Sequence, residues 1–175
     1  MGRQVKPAKK RRWLLWGIEL LLLVGIIFGV RAWQQRTLID GEAPAFDEIS
    51  LAGEELSLAS YRGQPVLLHF WASWCPMCEM EQEGINKVAA EGWQVVTVAY
   101  ASGESDEVKR YMERKGINNW LTVVDNDGEL AKQYGVVGVP TNYIVDPDGN
   151  IRFREVGITS SWGLRLRLWL ADKLG

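Results

Sequence analysis

A nearly continuous apolar run, Val66 to Trp71, is followed within four residues by the tetrapeptide Cys75-Pro76-Met77-Cys78. Such a run is typical of a strand buried on both faces of a sheet, and a proline at the first helical position favours a helix start. The tetrapeptide contains both cysteines of the chain. Two thiols spaced in this way at a helix N-terminus can close a reversible disulfide, and the helix dipole favours the reactive thiolate. The pattern indicates thiol–disulfide exchange.

Strand and helix patterns alternate along the chain on both sides of this tetrapeptide. Two short strands are predicted at 46–49 and 54–58, before the buried strand, and a helix is predicted from Pro76 to Ala90. Further predicted elements are strands at 93–99 and 121–124, helices at 105–115 and 129–134, a hairpin over 142–156 and a last helix capped by Thr159 or Ser160. The order predicts an α/β fold.

The first 33 residues differ in composition from the rest. Six of residues 1–12 are basic and none is acidic, whereas 13–33 are almost wholly apolar and about long enough to cross a bilayer. Basic residues favour the cytoplasmic side of a membrane. We therefore predict a cytoplasmic tail at 1–12, a transmembrane anchor at 13–33, a linker at 34–41 and a domain at 42–175 in the bacterial periplasm. No A-x-A-like pattern follows the apolar run, which favours a retained anchor over a cleaved signal.

Several motifs between residues 40 and 158 resemble those of the TlpA/ResA/DsbE group of membrane-tethered thioredoxin-like proteins. They are Ala43-Pro44-Ala45-Phe46, Tyr61-Arg62-Gly63, Phe70-Trp71-Ala72-Ser73-Trp74-Cys75-Pro76-Met77-Cys78, Gly138-Val139-Pro140-Thr141 and Val145-Asp146-Pro147-Asp148-Gly149. The resemblance implies a thioredoxin-like fold, a central mixed sheet flanked by helices, with an added N-terminal β-hairpin and an inserted αβ unit. Residues 157–170 resemble the suppressor-of-copper-sensitivity protein D branch, which implies a role in copper tolerance.

The two cysteines are expected to have different roles. Cys75, nearest the helix end, should be the exposed nucleophile, and Cys78 should resolve the mixed disulfide. The resemblance assigns the same order. A structural disulfide is one alternative, and half of a zinc site is another, but the chain has a single histidine to complete four ligands. A covalent c-type haem requires His after the second cysteine, where this chain has Glu79. We predict no cofactor beyond the disulfide.

Four more residues are expected to support the cysteine pair. The resemblance implies a cis bond before Pro140, packed against the cysteines, with the backbone of Val139 available to an extended client. An ordinary proline at a strand entry is the alternative. Glu81 matches an acidic position close to the active site in ResA- and DsbE-like proteins, and it shares a helical face with Cys78. Trp74 is expected at the surface beside the nucleophile.

His69 is the single histidine and occupies a position where related thioredoxins carry a buried Asp, or Asn in the TlpA-like group. If its ring approaches Cys78, it could exchange a proton during catalysis, because its ordinary pKa lies near neutrality. A hydrogen-bonded core histidine is the alternative interpretation. The sequence leaves both open.

The leading hypothesis is a membrane-anchored thiol–disulfide oxidoreductase that acts on cysteines of exported proteins. The resemblance favours a reductase supplied with electrons by a membrane thiol transporter. A disulfide donor and a redox-inert module that binds exported thiol proteins are the alternatives. A peroxidase is disfavoured because the Thr-x-x-Cys setting is missing. No nucleotide-binding loop or basic nucleic-acid stripe occurs in the sequence, so no nucleic-acid partner is predicted.

Overall fold

The computed structural model describes residues 9–175 of the chain, which divide after Arg36 into two compact units. In the first unit, helix α1 (Lys9–Gln35) runs without interruption. No helix in the described part of the chain is both long enough and apolar enough to span a membrane. The anchor predicted at 13–33 is therefore not confirmed. Most of the tail predicted at 1–12 lies outside the described residues.

The second unit, residues 37–175, contains eight strands and four further α-helices in its described chain. The strands are β1 (Gly41–Glu42), β2 (Asp47–Ile49), β3 (Glu55–Ser57), β4 (Val66–Trp71), β5 (Gln94–Tyr100), β6 (Leu121–Asp125), β7 (Thr141–Val145) and β8 (Asn150–Val156). The helices are α2 (Pro76–Ala90), α3 (Ser105–Lys115), α4 (Glu129–Gln133) and α5 (Ser161–Leu174), and a 3₁₀ turn covers Leu58–Tyr61.

Six strands form one mixed sheet in the order β1-β8-β7-β4-β5-β6. The central strand β4 pairs in parallel with β5 and antiparallel with β7. The carboxyl ends of β4 and β5 therefore lie at the same edge of the sheet. Strands β2 and β3 pair with each other as a separate two-stranded sheet. The arrangement is a thioredoxin-like α/β fold, as expected.

Every residue of β4 is buried, which explains its continuous apolar sequence. Alternate side chains enter two different cores. Val66, Leu68 and Phe70 pack in a core that includes Tyr134 and Tyr143. Leu67 and Trp71 pack in the opposite core, which includes buried residues of α2, α3 and α5. Helices α2, α3 and α5 thus cover the face of the sheet to which Leu67 and Trp71 point. The loop that contains Cys75 begins directly after Trp71.

The last helix begins at a side-chain cap. Ser160 is the N-cap residue, and its Oγ accepts a hydrogen bond from the Gly163 N–H at 3.2 Å. Of the two predicted candidates, the serine is therefore the cap. Thr159 instead donates its backbone N–H to Glu81, a contact that ties the start of α5 to helix α2.

The linker predicted at 34–41 differs from the structure at both ends. Helix α1 continues to Gln35, and the second unit already begins at Thr37. Leu38 is buried in the first core, and Gly41 pairs with Ile151 of β8. This segment is ordered because the apolar side chain of Leu38 can enter the core. The backbone groups of Gly41 can then pair with the edge of the sheet.

Candidate active site

The cysteine pair lies at the N-terminus of α2. Cys75 is the N-cap residue, with extended backbone, and its Sγ accepts a hydrogen bond from the Cys78 N–H at 3.1 Å. Pro76 follows at the first helical position, where no N–H is needed. The two sulfurs form a disulfide across a Cα–Cα distance of 5.3 Å. The strand-to-helix junction therefore holds both sulfurs at the positive end of the helix dipole.

Cys75 is less accessible than the sequence suggested. Its exposed fraction is 6%, against 3% for Cys78, so the expectation of an exposed first cysteine is wrong for the disulfide form. The physical reason is the loop before β7, because the Val139 carbonyl oxygen lies 3.6 Å from the Cys75 Sγ. The Cys75 sulfur therefore lies beside the backbone of this loop.

Trp74 is held by a loop that follows β5. Its indole Nε1–H donates to the Ala101 carbonyl oxygen at 2.9 Å, while the ring remains largely exposed. The neighbouring Ser73 N–H donates to the Ser102 Oγ, also at 2.9 Å. Ala101 has a φ of 44°, the left-handed region that non-glycine residues rarely adopt. Sequence reasoning missed this loop, although the parallel pairing of β4 and β5 places both strand ends at one edge.

The bond between Val139 and Pro140 is cis. The Pro140 carbonyl oxygen accepts a hydrogen bond from the Gly157 N–H at 2.8 Å, and the Thr141 hydroxyl donates to the Gly138 carbonyl oxygen at 2.7 Å. These bonds fix the loop on both sides of the proline. They place the Val139 backbone directly beside the Cys75 sulfur.

A buried polar chain lies behind the cysteine pair. Glu81, one helical turn beyond Cys78, accepts hydrogen bonds at its Oε1 from the Asn142 Nδ2 and the Thr159 N–H, each at 2.9 Å. The Asn142 Oδ1 lies 2.8 Å from the His69 Nδ1. All three side chains are at most 2% exposed. Neither His69 nitrogen is hydrogen-bonded to a cysteine in the described chain, so its partner is Asn142.

Burial shifts the pKa values of Glu81 and His69 so that each side chain favours its neutral form. It raises the pKa of Glu81 to about 7, against the lowering effect of the hydrogen bonds from Thr159 and Asn142. It lowers the pKa of His69 to about 4, with a smaller opposing effect of the hydrogen bond to Asn142. Near neutral pH, Glu81 can therefore take up or release a proton, whereas His69 stays uncharged.

Asn142 was not predicted from the sequence. Its position follows from the antiparallel register of β4 and β7, in which His69 and Asn142 are direct partners. The register depends on the whole sheet, so no local motif pointed to this residue. An amide side chain two positions after Pro140, in a strand that is buried throughout, is the one signal that the sequence offers.

Exposed apolar side chains lie on the segments that flank the cysteines. They belong to Trp74, Met77, Val137 and Ile158, and they are called the apolar rim below. The Met77 Cε lies 3.9 Å from the position that a Cβ on Gly157 would occupy, so this side chain reaches the loop after β8. An uncharged rim of this kind suits an apolar stretch of polypeptide.

The family model of AhpC/TSA matches residues 39–154. The chain belongs to the AhpC/TSA family. Among curated relatives, the thiol:disulfide interchange protein DsbE of Yersinia pestis is 36% identical over 143 residues, 80% of this chain and 73% of the relative. The thiol-disulfide oxidoreductase ResA of Bacillus thuringiensis subsp. konkukian is 31% identical over 151 residues, 82% of this chain and 87% of the relative.

Solved structures agree with this assignment. The structure of MTB dsbF in its mixed oxidized and reduced forms matches with a TM-score of 0.66 and 28% identity, over 73% of this chain and 95% of that one. This AhpC/TSA-family protein is a thiol–disulfide oxidoreductase of the DsbE/ResA type, with Cys75 and Cys78 as its cysteine pair. Its substrates are thiol-containing proteins. The predicted copper-tolerance branch stays a prediction.

Proposed function

We propose that this protein reduces disulfides in exported proteins, with Cys75 as the attacking cysteine and Cys78 as the resolving one. The observation that carries the assignment is the position of Cys75 as the N-cap of α2, where its Sγ accepts the Cys78 N–H. Both the helix dipole and this hydrogen bond favour a thiolate at Cys75 over one at Cys78.

Reduction, not oxidation, is favoured by what surrounds the sulfurs. A strongly oxidising pair requires a highly stabilised thiolate in the reduced form. Here both sulfurs are buried, the nearby Glu81 is acidic, and burial keeps His69 neutral. The thiolate at Cys75 thus receives modest support, which favours a low reduction potential.

The proposed reaction transfers two electrons from the dithiol to a client disulfide. The Cys75 thiolate attacks one client sulfur, the client disulfide breaks, and one client thiolate leaves. Cys78 then attacks the Cys75 sulfur, which releases the second client thiolate and leaves the Cys75–Cys78 disulfide. A membrane thiol transporter is the proposed donor that reduces this disulfide again.

Clients are proposed to bind as extended segments along the loop that contains Pro140. The Val139 backbone lies beside the attacking sulfur, and the apolar rim lies on the segments that flank the cysteines in the fold. Main-chain pairing with Val139 would present a client cysteine to Cys75. The resemblance of residues 157–170 to the copper-sensitivity branch supports clients whose thiols are damaged by copper.

The domain is proposed to act outside the cytoplasm, at the bacterial inner membrane. The support is the sequence pattern of basic residues at 1–12 followed by the apolar stretch at 13–33. Fractionation of cells that produce the full chain, with protease added to spheroplasts, tests this. Membrane-bound protein that is digested from outside supports the proposal, and protein recovered in the cytoplasm contradicts it.

The function is tested by the equilibrium potential of the Cys75–Cys78 couple in glutathione buffers, together with insulin reduction by the full chain. A potential near that of thioredoxin, about −270 mV, supports a reductase, and one near −120 mV supports a disulfide donor. Cys78→Ser should accumulate mixed disulfides with clients, whereas Cys75→Ser should form none. Wild-type protein no more active than Cys75→Ser would identify a redox-inert binding module instead.

A further inference from the structure

We propose that Asn142 is a positioning residue for thiol–disulfide exchange. Asn142 holds the Glu81 carboxyl so that the Oε2 of Glu81 takes the proton of Cys78. His69 in turn fixes the orientation of the Asn142 amide. The proposal rests on the proposed role of Cys78 as the resolving cysteine. It assigns a role to a side chain outside the cysteine, proline and carboxylate set already described.

The hydrogen bonds determine which way the Asn142 amide faces. Glu81 Oε1 accepts from the Thr159 N–H and from Asn142, so the amide presents its Nδ2 to the carboxyl. The Oδ1 then faces His69, and the Nδ1 of that ring must carry a proton to donate to it. His69 therefore serves as a fixed donor, which replaces the earlier hypothesis of a histidine proton shuttle.

The same bonds distinguish the two carboxyl oxygens of Glu81. Oε1 already accepts two hydrogen bonds, whereas Oε2 is buried and has no hydrogen-bond partner in the described chain. The proton therefore binds at Oε2. Cys78 lies three residues earlier on the same helix, the spacing at which side chains are neighbours, and is itself buried. The carboxyl oxygen that can still bind a proton, Glu81 Oε2, thus belongs to the side chain one helical turn from the Cys78 thiol.

A purely structural network would be expected to satisfy its members. Buried polar groups are nearly always hydrogen-bonded, and a half-satisfied network is less stable than an apolar core. Here two atoms, Glu81 Oε2 and His69 Nε2, have no partner in the described chain. The remaining bonds all converge on one oxygen of Glu81 or on the amide that holds it. The arrangement fixes a carboxyl in place and leaves its second oxygen available.

The proton step is balanced within the exchange. As the Cys78 sulfur attacks the Cys75–client disulfide, its S–H bond breaks and an O–H bond forms at Glu81 Oε2. The electron pair of the sulfur forms the Cys75–Cys78 bond, and the client sulfur leaves as thiolate. The groups hydrogen-bonded to Glu81 are Asn142 on β7, with His69 of β4 behind it, and the backbone of Thr159 before α5. Cys78 lies one helical turn earlier on α2, at the spacing that places side chains on one face.

The test compares wild type with Asn142→Asp, which can accept from His69 but has lost the fixed amide N–H donor to Glu81 and places a second titratable carboxyl beside it. The measurement is the rate at which Cys78 resolves a preformed Cys75 mixed disulfide with a model peptide, between pH 5 and 9. Wild type should show an inflection near pH 7. In Asn142→Asp the inflection should move to a pH at least one unit higher, because a second carboxyl opposes ionisation of Glu81. At pH values below the inflection, the variant should resolve the mixed disulfide roughly tenfold more slowly than wild type.

Tyr134→Phe is the matched control, because it removes a partly buried hydrogen bond of 2.7 Å to the Pro44 carbonyl oxygen from a side chain of the opposite core. It should leave the pH profile unchanged. An Asn142→Asp protein that is folded and has the wild-type profile overturns the proposal. If the variant does not fold, nitrogen NMR of wild-type His69 decides: a proton on Nδ1 supports the proposal, and one on Nε2 overturns it. The mixed disulfide is preformed, so a failure of client reduction would be detected separately.

Discussion

Gly135 lies directly against the backbone carbonyl of Thr37. A Cβ added to Gly135 would lie 2.0 Å from that oxygen, and its φ of 67° is in the left-handed region. The contact joins the turn after α4 to the first residue of the second unit. Only glycine fits this position, because a backbone atom cannot move aside as a flexible side chain can.

Replacing Gly135 with alanine should therefore destabilise the protein by about 3 kcal/mol, from left-handed strain together with the clash. Gly116→Ala is the matched control, because its φ is 66° and a Cβ there would meet nothing within 4 Å. It should lose only about 1 kcal/mol, the strain alone. Urea unfolding measures both. Equal losses would show that the Thr37 contact contributes nothing.

Glu81→Gln should change how stability depends on pH. Below pH 4.5 the carboxyl is protonated in both states, so its raised pKa has no effect there. As the pH rises from 4.5 to about 7, the unfolded chain loses the proton while the folded protein keeps it on the buried carboxyl, so stability falls across this window and levels off above it. Glutamine cannot ionise, and it keeps an oxygen for Asn142 and Thr159.

The oxidised Glu81→Gln protein should therefore gain about 3 kcal/mol relative to wild type between pH 4.5 and pH 8. Chemical unfolding at several pH values measures the gain. Glu83→Gln, an exposed position paired with Lys87, is the control and should show no comparable change. A constant difference between Glu81→Gln and wild type across this range would contradict the pKa of about 7.

Met77→Lys should weaken reduction of protein clients but not of small disulfides. The change places a charge in the apolar rim beside the loop at Gly157. We expect kcat/KM for insulin to fall about tenfold, whereas reduction of oxidised glutathione should stay within twofold. Leu166→Lys, an exposed apolar position on α5, is the control. Equal loss with both substrates would show damage to the cysteine pair itself.

Ser160→Ala should destabilise the protein by about 1 kcal/mol, because the Gly163 N–H loses its side-chain cap. Thermal unfolding measures the loss. Ser161→Ala, at the adjacent helical position, should have little effect, because it caps no backbone group. If the two alanine variants were equally stable, the cap would have no net value.

Local patterns predicted much of the fold and the sulfur chemistry. The helix at Pro76–Ala90 has the predicted bounds, because a proline at its start and Glu91-Gly92 at its end are local signals. The buried strand β4 was equally clear. The low exposure of Cys75 and the pairing of Asn142 with His69 were not predictable, because both depend on segments more than 60 residues away in the chain.

Two of the three polar side-chain atoms without partners in the described core, His69 Nε2 and Glu81 Oε2, give this protein less thermal resistance than its fold permits. Selection for survival at high temperature would therefore replace His69 or Glu81 early with residues that pack without orphaned groups. Turnover would slow in the same mutants, so heat tolerance and catalytic speed compete at these two positions.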